Sequence, residues 1–278
     1  MSKLKKAMEK AKEAREREPG SPVSGEGQQP AGSPLPHLIR EAPGRRDVSC
    51  TYTTTRVEAT DPGLLDRNKV ITLCHKDAMT DQTKILRAQV LNSLKEIGGN
   101  SLLITSAREG EGKTLTAINL AVSISHELDR TVLLIDADLR KPSIHRFFGI
   151  RNNGGLSDFL LNRAEIPDVL VNPGLEKLTM ILGGKPLPNS SELLGSPRME
   201  AMVMEVKARY CEDRMVIFDS PSLLSCADPL VLSQFVDGIL LVVEAEKTPS
   251  GDIERALELL KDRPVIGTIL NKARDQVL

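Results

Sequence analysis

Three groups of residues in this sequence have types and spacings suited to chemistry on a polyanion. The first is Ser106-Ala-Arg-Glu-Gly-Glu-Gly-Lys-Thr114. A chain of phosphates needs many donors in a small space. A glycine-containing loop that opens a helix supplies them, as consecutive backbone N–H groups at the positive end of the helix dipole. Gly110 and Gly112 permit the turn, Lys113 reaches the β- and γ-phosphates, and Thr114 offers a hydroxyl to Mg²⁺. Arg108, Glu109, Glu111 and Leu115 complete the stretch expected to touch nucleotide. Ala107 stands where the G-x-x-x-x-G-K-[ST] pattern has its first glycine, so the assignment rests on context, an apolar strand before and a helix after.

The second group is Val132-Leu-Leu-Ile-Asp136-Ala-Asp138-Leu-Arg140-Lys-Pro142. Here a buried strand delivers two carboxylates to the carboxyl edge of a sheet, where open α/β sheets bind their ligands. Such carboxylates suit magnesium, a hard cation that takes oxygen ligands and keeps several waters. In isolation the pair fits equally well as a turn cap neutralising Arg140. The third group, Met215-Val-Ile-Phe-Asp219-Ser-Pro-Ser222, is again an apolar strand ending in aspartate, the form of a Walker B element. In this order the three groups predict a site for ATP and Mg²⁺. Thr114, Asp136 and Asp219 are the metal candidates, and Lys113, Asp136 and Asp138 the catalytic ones. The residues alone do not divide the general-base and metal roles between Asp136 and Asp138.

These groups must be positioned by strands and helices in alternation. Short β-rich apolar runs occur at 101–105, 131–135, 178–182, 215–218, 238–243 and 265–270. Helical patterns lie between most of them, at 114–128, 191–210, 229–235 and 250–260. Strands apolar throughout and separated by helices indicate a mostly parallel sheet covered on both faces. The fold expected is therefore α/β, a three-layer P-loop NTPase with helices flanking a central sheet. Asn271, ending the last strand, is expected at the adenine edge. The string Asn271-Lys-Ala-Arg-Asp275 departs by one residue from the guanine-reading N-K-x-D, which argues for ATP.

Ahead of this domain the composition changes. Residues 1–18 read as a charged helix with a narrow apolar strip, and 19–47, rich in Pro, Gly and Ser, as a disordered linker. A polar lead-in at 48–79 precedes the domain at 80–278. The domain opens with a helix at 80–97, with Thr80 as N-cap and Ile85, Leu86, Val90, Leu91 and Leu94 as the buried face. A formal net charge of −1 and 3% aromatic residues argue against a nucleic-acid binder. Four cysteines without a C-x-x-C pair read as reduced thiols, and the most apolar run, 238–243, is too short to span a bilayer. A cytoplasmic protein with no transmembrane segment of its own is the expectation.

The Walker A′ stretch Ile135-Asp-Ala-Asp-Leu-Arg-Lys-Pro142 resembles that of the bacterial tyrosine kinases of capsule and exopolysaccharide systems, within the MinD/ParA branch of P-loop ATPases. Asn189-Ser-Ser-Glu-Leu-Leu194 and Asp228-Pro-Leu-Val-Leu-Ser233 resemble two further stretches of these kinases. Among them the chain looks most like the stand-alone autokinases of exosortase and exopolysaccharide loci. The resemblance implies ATP- and Mg²⁺-dependent tyrosine (auto)phosphorylation regulating polymer synthesis and export. It also implies recruitment to the inner face of the plasma membrane by a membrane-anchored polysaccharide co-polymerase. Three departures stand out. Arg108 replaces the signature Lys of MinD-type ATPases, Ser222 replaces a proline after Walker B, and the stretch 271–278, where the resemblance leads one to expect tyrosines, contains none. The two tyrosines present, Tyr52 and Tyr210, read as ordinary structural or surface residues. A switch ATPase of the MinD/ParA type is the alternative, and a nucleotide-binding scaffold without turnover a third reading. The kinases' acidic–x–x–basic–x–x–basic ring-contact pattern is matched by Asp81, Lys84 and Arg87, implying a weak homo-oligomer.

Overall fold

The computed structural model describes residues 55–71, 78–208 and 214–273. The helix expected at 1–18, the linker at 19–47, Tyr52, Tyr210 and three of the four cysteines lie outside these residues. Among the described residues, eight strands form one sheet: β1 (Arg56–Val57), β2 (Ser101–Ser106), β3 (Thr131–Asp136), β4 (Leu170–Asn172), β5 (Leu178–Ile181), β6 (Arg214–Asp219), β7 (Gly238–Glu244) and β8 (Val265–Asn271). Their order is β1-β4-β5-β3-β6-β2-β7-β8. All pairings from β5 to β8 are parallel, whereas β4 runs antiparallel to β5 and carries β1 parallel to itself.

Both faces of this sheet are covered, which is why central strands such as β2 and β3 are buried at every position rather than at alternate ones. On one face Leu102, Ile104, Val132 and Leu134 pack with helices α2 (Ala78–Glu96) and α3 (Lys113–Ser125). Leu103, Leu133, Ile135 and Phe218 point to the other face. There they meet α8 (Pro197–Ala208), α9 (Asp228–Leu232) and α10 (Ser250–Leu259). Short helices α1 (Pro62–Arg67), α4 (Ile144–Phe148), α5 (Leu156–Leu160), α6 (Ile166–Val169) and α7 (Ser190–Leu194) fill the connections. The expected three-layer α/β architecture is the one observed.

Strand order explains where chemistry collects. β6 lies between β2 and β3, with Asp219 level with Ile104 on one side and with Asp136 on the other. From β2 the chain crosses through α3 to β3, and from β6 it crosses the other way to β7. Connections that diverge from neighbouring strands leave a crevice at their carboxyl ends.

Several local expectations are corrected. The single helix expected at 191–210 is two, α7 and α8, parted at Gly195 with Pro197 opening the second. Proline is favoured at a helix start, where its missing N–H costs nothing. Helix α2 begins at Ala78, so Thr80 sits buried inside its first turns and does not cap it. Val90 and Leu94 are buried as expected and Leu86 and Leu91 partly so, but Ile85 is 60% exposed. The described part of the lead-in is no separate segment: Leu65, Val70 and Ile71 are in the core and β1 extends the sheet.

Candidate nucleotide and acceptor site

The loop after β2 is shaped by two glycines in left-handed backbone, Gly110 at φ 83° and Gly112 at φ 96°. At Gly112 a side chain would be strained by the positive φ, and its Cβ would lie 2.1 Å from the Asn271 amide nitrogen and displace it. Gly112 caps α3 with no side-chain hydrogen bond, so the first N–H groups of that helix remain for an anion. Contacts from the turn after β7, from α10 and from the end of β8 hold the loop. The Glu111 carboxylate accepts from Arg108 N at 2.9 Å and from the Thr248 hydroxyl. Asn271 Nδ2 donates to Glu111 O at 2.8 Å, and Lys272 Nζ to Gly110 O at 2.7 Å. Arg108 pairs with Asp252.

Glu111 is thus a buried brace with its carboxylate turned into the protein. Asn271 fastens the loop with the amide that the sequence reading assigned to adenine. A cavity of about 520 Å³, lined by Leu115, Thr116 and Asn271 together with α2, does open beside it. Glu109 is exposed and pairs with Lys141 at 2.9 Å, a hydrogen bond that holds its carboxyl below the usual range.

Strands β3 and β6 end on Asp136 and Asp219, both fully buried. Asp136 Oδ2 accepts from the N–H groups of Ser143 and Ile144 at 2.9 and 3.0 Å, while its Oδ1 has no partner. Neither oxygen of Asp219 has one in bonding geometry, although the Thr114 hydroxyl stands close enough to favour the charged form. Burial, reinforced at Asp136 by the Asp219 charge, pushes both carboxyls well above the usual range. Lys113 is not solvent-facing, as an exposed phosphate-seeking lysine would be. Its side chain is 14% exposed and its Nζ lies 3.4 Å from Asp138 Oδ2. Burial pulls its pKa down, but Asp219, Asp138 and Asp136 outweigh that and raise it.

Orphaned buried carboxylate oxygens are costly unless something positive arrives. The arrangement fits a magnesium ion at Thr114, Asp219 and Asp136. Among the described residues no three His, Cys, Asp or Glu side chains converge on a metal site. Magnesium does not require that, because phosphate and water complete its octahedron.

Asp138 differs from Asp136. Its Oδ1 accepts from Lys141 N at 3.0 Å, and its carboxylate lines a cavity of about 750 Å³ beyond the loop, together with Lys113 and Arg140. Arg140 is oriented by Asp228, a residue missed as functional. Nε and Nη2 of Arg140 lie 3.2 and 3.4 Å from the two Asp228 oxygens, which also accept from the hydroxyls of Ser190 and Ser191. The three stretches on which the family resemblance rested therefore meet around one buried carboxylate. That clustering was the available signal. The triplet expected on α2 does not form one free stripe. Asp81 and Lys84 pair at 3.0 Å on the surface, but Arg87 turns inward to Ser123 O and Glu127, both at 2.8 Å.

The profile of the CobQ/CobB/MinD/ParA nucleotide binding domain matches residues 102–277. The tyrosine-protein kinase YwqD of Bacillus subtilis is 34% identical over 209 residues, covering 74% of this chain and 86% of that protein. The chain belongs to the bacterial tyrosine kinases of this nucleotide-binding family. Two solved structures share its fold. The kinase domain of the Escherichia coli tyrosine kinase ETK has a TM-score of 0.68 at 27% identity, covering 80% of this chain and 90% of that one. The chimerical protein CapA2B2 has 0.69 at 26% identity, covering 79% and 94%. The residues matched by the nucleotide binding domain, 102–277, take in the phosphate loop, both aspartate strands and β8. Among the described residues no helix is long and apolar enough to cross a membrane.

Proposed function

We propose that this chain is an ATP-dependent protein-tyrosine kinase acting in exopolysaccharide or capsule synthesis and export. The observation that carries the reading is the division between the aspartates. Asp136 and Asp219 are sealed at the sheet edge, whereas Asp138 and Lys113 line an open cavity large enough for a side-chain acceptor. A switch ATPase needs room only for water at that position.

Lys113 and the first N–H groups of α3 bind the phosphates and stabilise charge on the bridging and γ-oxygens as transfer proceeds. Thr114 and Asp219, with Asp136 beside them, would hold Mg²⁺, which would supply positive charge to offset that of the β- and γ-phosphates. Asp138 accepts the proton of the incoming tyrosine hydroxyl as its oxygen bonds to the γ-phosphorus and ADP leaves. Leu115 and the cavity beside Asn271 hold the base. A weak homo-oligomer through the exposed face of α2 and a membrane-anchored co-polymerase at the inner face of the plasma membrane complete the reading.

Labelled ATP with a tyrosine acceptor tests it directly. Phosphotyrosine formation that depends on Asp138 supports the kinase, and phosphate release with no phosphotyrosine on any acceptor favours the switch ATPase.

A further inference from the structure

The lining of the acceptor cavity divides by chemistry. Pro186, Leu187, Pro188 and Pro221 present rigid apolar surface suited to an aromatic ring. Against Glu109 and Asp138, the cavity carries four cations, Lys113, Arg140, Lys141 and Arg146. Their states differ. Lys113 belongs to the phosphate site, and Lys141 is held by Glu109. Asp228, fully buried, fixes Arg140 through two N–H groups, and the Arg140 side chain, 41% exposed, lines the cavity. Arg146, on α4, has no ion-pair or hydrogen-bond partner for its guanidinium among the described residues.

A cavity that pairs apolar walls with an oriented arginine and an unpaired one selects for a ligand of matching chemistry. We propose that it accepts tyrosines flanked by acidic residues, with Arg146 and Arg140 reading carboxylates beside the acceptor ring. This rests on the kinase reading and deepens it by naming the substrate class. Consecutive Cα atoms are about 3.8 Å apart, so the neighbours of a seated tyrosine stay within reach of both guanidiniums. A carboxylate there gains charge-assisted, bidentate hydrogen bonds. A neutral neighbour forgoes the ion pair with Arg146, and a lysine meets like charge, which discriminates against both. Tyr52 lies in Cys50-Thr-Tyr-Thr-Thr54 with no acidic neighbour, so acidic segments on other molecules outcompete it.

The test uses three labelled peptides of equal length, each with one tyrosine flanked on both sides by Glu, Gln or Lys. Binding to the full chain is read by fluorescence anisotropy with Mg²⁺ and a non-hydrolysable ATP analogue, and transfer is read separately with ATP. The Glu peptide should bind about tenfold tighter than the Gln peptide at low salt, with the Lys peptide weakest. In Arg146→Gln the preference should collapse towards unity and the KM for the Glu peptide should rise more than kcat falls. Arg146→Lys should restore part of the preference. Equal binding of the Glu and Gln peptides, or a preference unchanged in Arg146→Gln, overturns the proposal. If the Glu peptide is selected but never phosphorylated, the acidic-segment site stands and the kinase reading falls.

Discussion

Asp136 and Asp219 are cross-strand neighbours at the carboxyl edge of the sheet, and three of their four carboxylate oxygens have no hydrogen-bond partner. Two buried carboxylates side by side are costly to charge. The fold keeps them where chemistry needs them, at the expense of its own stability.

Asp219→Asn should therefore stabilise the metal-free protein while abolishing Mg²⁺-dependent turnover. An amide at this position removes one buried charge and offers an N–H to Asp136 Oδ1. A gain of about 1–3 kcal/mol at pH 8 corresponds to a Tm higher by roughly 2–10 °C for a domain of this size. Thermal denaturation without nucleotide decides it; a lower Tm would show that the pair is better satisfied than its geometry indicates.

The same pair sets a pH dependence. Both carboxyls titrate above their unfolded values, so the stability they contribute is full below the ordinary carboxyl range, around pH 4. It is lost as pH rises through their raised folded values. Chemical denaturation of the metal-free protein should show this contribution declining towards and beyond neutrality, and Asp219→Asn should flatten that decline. Equal slopes for the two proteins would contradict the assignment.

Lys113→Met should lower turnover by at least about a hundredfold, since one preorganised charge contact in a dry site contributes on the order of 3 kcal/mol. Because this lysine is buried among three carboxylates, the variant should also melt several degrees lower than the parent protein without nucleotide. An unchanged Tm combined with lost turnover would show that Lys113 serves the phosphates alone and adds nothing to the stability of the fold.

At the other end of β2, Asp237 accepts from the N–H groups of Asn100 and Ser101, the Ser101 hydroxyl and Lys207. Burial raises its pKa, but these donors together lower it, so its contribution is present at neutral pH and lost as pH falls through the folded value. Asp237→Ala should cost about 2–4 kcal/mol by stranding two backbone donors, with nucleotide affinity retained. Denaturation and nucleotide titration on the same variant separate the two effects.

Arg87→Ala should destabilise the protein by roughly 1–2 kcal/mol, lowering the Tm equally at all protein concentrations, because its guanidinium ties α2 to Ser123 and Glu127 at the end of α3. Lys84→Ala and Ile85→Ser alter the exposed face instead. Light scattering with Mg²⁺ and ATP should show weakened association in those variants at an unchanged Tm.

What was legible in the sequence was contiguous. The phosphate loop and each aspartate strand are single runs of neighbours, and the five buried strands β2, β3, β5, β6 and β7 announce themselves as largely apolar stretches. What was hidden depends on distant partners. β1 and β4, of two and three residues, exist only through pairing with each other and with β5. Arg140 and Asp228 are 88 residues apart, and no local pattern shows a carboxylate shared among Arg140, Ser190 and Ser191. Burial of Lys113 and the inward turn of Arg87 likewise follow from packing, which residue type does not reveal. Ile85 misled because periodicity cannot tell a core face from an exposed one.

β8 carries a consequence for anyone trimming this chain. As the last strand of the sheet it pairs on one side only, which marks it as an expendable edge. Yet Asn271 and Lys272, at its end, are what grips Glu111 and Gly110 from behind. A fragment cut before residue 265 would retain every Walker motif and lose the clamp that shapes the first of them. A fragment that keeps the loop in this shape runs through Lys272, well past the last residue of any Walker motif.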